Sequence, residues 1–105
     1  MVIIEIQIKE GLIEGFRIEG HAPIEFGSPG ENLLCAAVSM LGQTLHSYLA
    51  KEGVLSHERK ENGFLELSLQ AEKRTAYKQA MELVRFGLRS LETQYPNILK
   101  IKERQ

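Results

Sequence analysis

The chain has 105 residues, 43% apolar and 26% charged, enough for one compact domain (1–105) that buries a core without metals or disulfides. Thirteen basic against fourteen acidic residues give a net charge of −1 with no basic cluster, which argues against direct nucleic-acid binding. No unbroken apolar run nears the ~20 residues of a membrane span, so no membrane contact is expected, and a single cysteine excludes an intramolecular disulfide.

The first eleven residues, MVIIEIQIKEG, alternate Ile4, Ile6 and Ile8 with Glu5, Gln7 and Lys9, the pattern of a half-buried strand rather than an export signal. A cytoplasmic protein is the corresponding expectation. Gly11 permits a turn, and Phe16 and Ile18 alternate with Arg17 and Glu19 in a second strand, so the first twenty residues read as a hairpin ending at Gly20 and His21. Residues 22–31 carry two prolines and two glycines and read as a surface loop.

From 33 to 50 the apolar period becomes helical, through Leu34, Ala37, Val38, Leu41, Leu45, Tyr48 and Leu49, with Gly53 as the stop. A second hairpin pairs 54–60 with 64–70 around Asn62-Gly63 and turns Leu65, Leu67 and Leu69 inward. Residues 72–94 carry Ala76, Ala80, Leu83, Leu88 and Leu91 at helical spacing before Pro96, and Ile98, Leu99 and Ile101 suggest a last short strand. The fold class is α+β, a mostly antiparallel sheet with two helices in the order ββαββαβ.

Cys35 has two possible settings. If Ser28 to Glu31 form a capping box with Pro29 at the first helical position, Cys35 lies two turns inside the helix. If Asn32 is the N-cap, Cys35 is the third helical residue, beside the unpaired amides of the first turn. The second is preferred, because Gly30 is a poor interior residue and the apolar period begins at Leu33. A helix start joined by an imidazolium favours the thiolate, the nucleophilic form. A small core side chain followed by Ala36, Ala37 and Val38 is the competing account of Cys35.

Three histidines are candidate bases. His46 returns to nearly the same side of the helix as Cys35 but stands about 16 Å along its axis, out of hydrogen-bond reach. His57 falls in a strand between Ser56 and Glu58 and reads as part of an exposed polar face. His21 leaves a strand end, and the loop joining it to the helix can bring it back to Cys35.

Gly20-His21-Ala22, a Gly-containing loop, and then Gly30-x-x-Leu33-Leu34-Cys35-Ala36-Ala37-Val38-Ser39 resemble the signature of the ribosomal-processing cysteine protease family, Prp. The resemblance extends over essentially the whole chain. It implies an endopeptidase with Cys35 as nucleophile and His21 as general base, needing no metal or cofactor. It also implies removal of the amino-terminal extension of a bacterial large-subunit ribosomal protein, the twenty-seventh of its series, after aromatic residues. A homodimer, and a loop that gates the site through Pro23, Gly27, Pro29 and Gly30, belong to the same implication. Gly20, Gly30, Asn32 and Ser39 become supporting residues, Ser39 by hydrogen bonding. Many members carry Asp where this chain has Asn32, which keeps the cap but not the charge and leaves no acidic third residue assigned; Glu31 is the neighbouring carboxylate. The alternative function is a non-enzymatic assembly factor that holds the ribosomal protein's tail.

Overall fold

The computed structural model describes residues 1–20 and 29–105, with the side chains of 29–32 left out of the description. The order is β1 (Val2–Lys9), β2 (Leu12–Glu19), α1 (Pro29–Glu52), β3 (Leu55–Glu61), β4 (Phe64–Leu69), α2 (Lys78–Gln94) and β5 (Leu99–Arg104). This is the expected ββαββαβ arrangement. The expected loop at 22–31 lies outside the described residues up to 28, and Pro29 and the two residues after it belong to α1.

The five strands form one sheet in the order β3-β4-β2-β1-β5, antiparallel throughout except for β1 beside β5. The turn between β1 and β2 places Glu10 at φ 55° and Gly11 at φ 77°, the two positive angles that match the right-handed twist of a tight hairpin. Alternation buries Ile4, Ile6, Phe16, Ile18, Leu65, Leu67 and Leu69 on one face, where both helices pack. Leu34, Val38, Leu45 and Leu49 bring α1 onto that face.

At the end of α1, Gly53 (φ 71°) and Val54 donate to the carbonyls of Ala50 and Leu49, closing the helix with a Schellman motif as its glycine suggested. The segment Leu33–Glu52 has a mean hydropathy of 1.2, enough by length and composition to cross a bilayer, although no unbroken apolar run signalled it; here its apolar stripe is spent on the sheet.

The second helix is shorter than expected. Ala71–Lys73 form a 3₁₀ turn, and α2 begins only at Lys78: Ala76 is exposed, Tyr77 and Ala80 are the first side chains here to pack against the core, and Met81 is the first to be buried. Its buried residues are Met81, Val84 and Leu88, whereas Leu83, expected on the core face, is exposed.

Candidate active site

Cys35 is the seventh residue of α1, not the third. The helix starts at Pro29, whose missing amide costs nothing at a position where the amide would be unpaired anyway. Asn32 is therefore inside the first turn rather than its cap, with Gly30 beside it. The charge effect of a helix end fades within one turn, so the expected placement of Cys35 among unpaired amides does not hold.

The thiol is 7% exposed and packs in the main hydrophobic cluster, as the competing core account expected. It also stands on the wall of a groove of about 660 Å³. Cys35, Ser39 and Gln43, at steps of four, form the α1 wall. Across from them, residues 60–65 of the β3–β4 hairpin form the other wall, and Ile18, Val38 and Gly42 lie between. A Cβ on Gly42 would stand 3.0 Å from Ile18 Cδ1 and 3.1 Å from Leu65 Cδ2, so the glycine lets the helix sit low over the sheet.

Gly20 ties the end of β2 to this hairpin, its amide donating to the carbonyl of Gly63 at 3.1 Å. Its φ of 96° and a Cβ position only 2.2 Å from the carbonyl oxygen of Met1 leave room for glycine alone. The chain thus leaves the sheet beside the groove at Gly20. His21, next in sequence, lies outside the described residues.

The other histidines are committed elsewhere. His46 Nε2 donates to Glu58 Oε1 at 2.7 Å, joining α1 to β3. His57 Nε2 donates to Glu66 Oε1 at 2.7 Å on the opposite, helix-free face of the sheet, the polar surface its strand position suggested. That face also holds Phe64 between the guanidiniums of Arg17 and Arg59, 5.3 and 4.9 Å from the ring centre. Among the described residues, no group of three His, Cys, Asp or Glu side chains could hold a metal ion.

The hairpin wall and Gly42 are the parts of the site that sequence reasoning missed. Gly42 had a signal, a glycine inside an apolar helical stripe, which often marks a close approach. The hairpin had none, because its meeting with α1 is a contact between distant segments.

The fold is shared with solved structures. The essential ribosomal processing protease Prp from S. aureus, in complex with a substrate peptide, aligns with a TM-score of 0.83 at 13% identity, over 99% of this chain and 100% of that one. SMU.848 from Streptococcus mutans aligns with a TM-score of 0.81 at 21% identity, over 99% and 94%. The S. aureus protease with a covalently linked product peptide gives 0.76 at 16% identity, over 99% and 100%. A search of curated proteins found no match. The family model for cysteine protease Prp matches residues 1–100, and the chain belongs to that family of cysteine proteases.

Proposed function

We propose that this protease removes the amino-terminal extension of a bacterial large-subunit ribosomal protein, the twenty-seventh of its series, using Cys35 and His21. One observation carries the reading: the single thiol of the chain lines a peptide-sized groove whose far wall is hydrogen-bonded to the residue before His21. The structural relative that acts in ribosomal processing holds a substrate peptide on the same fold.

In this reading the His21 imidazole takes the thiol proton, and the sulfur attacks the carbonyl carbon of the scissile bond. Collapse of the tetrahedral intermediate breaks the C–N bond as the imidazolium gives its proton to the leaving amine. An acyl-thioester remains on Cys35. Water, deprotonated by the same imidazole, then hydrolyses it and restores the thiol. With Cys35 inside the helix, activation rests on His21 rather than on unpaired amides, and Ser39, one turn along the same wall, supports the site by hydrogen bonding. Asn32 and Gly30, in the first turn of α1, shape the helix entry, and in this reading the gate is the segment that precedes Pro29.

The protein is further proposed to act in the cytoplasm and as a homodimer. Incubation with the extended ribosomal protein tests the dyad: Cys35→Ala should abolish cleavage, and His21→Ala should slow it about 10²–10⁴-fold. Cutting by either variant at the parent rate would remove the assignment.

A further inference from the structure

His46 and Glu58 stand where the two walls of the groove run out. On α1 the last lining residue is Gln43, and His46 follows it by three positions; on β3 the first is Lys60, and Glu58 precedes it by two. Eleven residues of helix bring His46 to within about 20° of the azimuth of Cys35, so a peptide laid along the Cys35 edge of α1 runs toward this imidazole. His46 is 15% exposed in its side chain and bridges the gap to Glu58 with a 2.7 Å hydrogen bond. A carboxylate only accepts, so Nε2 carries the proton and the bridge has a defined direction.

At the opposite end, Cys35 and the hairpin tip near Gly20 mark the chemistry. From Cys35 to Gln43 the helix rises about 12 Å, and to His46 about 16 Å. An extended peptide advances about 3.3 Å per residue. The groove therefore has room for about four residues before the bridge crosses it.

We propose that the His46–Glu58 pair is the end stop of the substrate groove and limits the peptide to about four bound residues on that side of the scissile bond. The inference rests on the peptidase reading above. His46 and Glu58 are positioning residues here; neither touches the reacting atoms. A pair that merely fastened β3 to α1 would affect stability alone, whereas an end stop also sets the length of substrate that gains affinity.

The test uses peptides copied from the junction between the extension and the body of the ribosomal protein, trimmed one residue at a time from either end. For the parent, kcat/KM should rise with length on one side up to about the fourth residue and then stay level within about twofold. In Glu58→Ala the rise should continue for one or two further residues, by about fivefold in total, through KM with kcat unchanged. Glu58 is half exposed, so this variant is expected to fold, and a thermal melt checks it. His46→Gln keeps an amide donor for Glu58 and should restore the parent's plateau, while His46→Ala should behave like Glu58→Ala.

The proposal is overturned if the parent gains with every added residue on both sides, or if the plateau stays in place in Glu58→Ala and His46→Ala. Peptides that are cut with no length dependence defeat the end stop and leave the peptidase reading intact. If the parent neither cuts these peptides nor, as Cys35→Ala, binds them by fluorescence anisotropy, both readings fall together.

Discussion

Gly20 shows how much one missing side chain can fix. Its positive φ and the carbonyl of Met1, which stands where a Cβ would go, exclude any side chain, while its amide holds the hairpin tip that walls the groove. Gly20→Ala combines backbone strain with a clash against backbone that cannot move aside, and should cost roughly 2–4 kcal/mol. A urea melt checks the cost. Activity should fall further than stability explains, because the same substitution displaces the start of the segment that carries His21. Cys35 is the converse case at this scale. Its sequence context fitted both a core residue and a nucleophile, and the two accounts are compatible: the side chain packs in the core on one side and faces the groove on the other.

Among the elements, those with a short period were legible. The alternation in β1, β2 and β4 gave both their positions and their buried faces. The start of α1 was misread because Gly30 and the lack of apolar residues before Leu33 were weighed against it, yet a first turn need not be buried, and Pro29 suits its opening position. The start of α2 was misread in the other direction, since Ala76 extends the apolar spacing but is exposed. Leu83 was misplaced because spacing alone does not separate it from Met81 and Val84, which the sheet in fact selects. The hairpin wall of the site was invisible for the same reason: contacts between segments leave no local period.

The tie between α2 and β5 makes a prediction at this level. Glu103 on β5 accepts from Arg85 at 2.7 and 3.1 Å and from Arg89, both on α2. Their hydrogen bonds hold its carboxyl below the usual carboxylate range. A carboxyl with a lowered value in the folded state contributes stability at and above its ordinary value, and that stability is lost as the pH falls toward the lowered one. Thermal melts should therefore show the parent losing stability on acidification through and below the ordinary carboxylate range. Glu103→Gln should be roughly 1–2 kcal/mol less stable at neutral pH, a figure discounted for the half-exposed arginines, and should have a flatter acid limb. Equal acid limbs for parent and variant would remove Glu103 from the account.

For the whole molecule, the helices cover one face of the sheet and leave large apolar side chains on their own outer surfaces. Leu33 and Met40 on α1 and Leu83 and Phe86 on α2 are each more than half exposed, the last two at 72%. A second copy of the chain is the partner proposed for them. Light scattering should give the mass of a dimer, and Leu83→Glu with Phe86→Glu should give a monomer that melts within about 0.5 kcal/mol of the parent's monomer stability. A parent that scatters as a monomer would end the proposal.

The parallel pairing of β1 with β5, from Val2 beside Leu99 to Gln7 beside Arg104, joins two parts of the sequence nearly a hundred residues apart at one edge of the sheet. β1 therefore waits until β5 is synthesised before its second neighbour arrives. Residues 35 to 65, which build both walls of the groove, emerge earlier. Emerging from the ribosome, the nascent protease has its groove-forming segments in hand while its sheet still lacks one edge, so completion of the sheet is timed by the arrival of β5 rather than by assembly of the site.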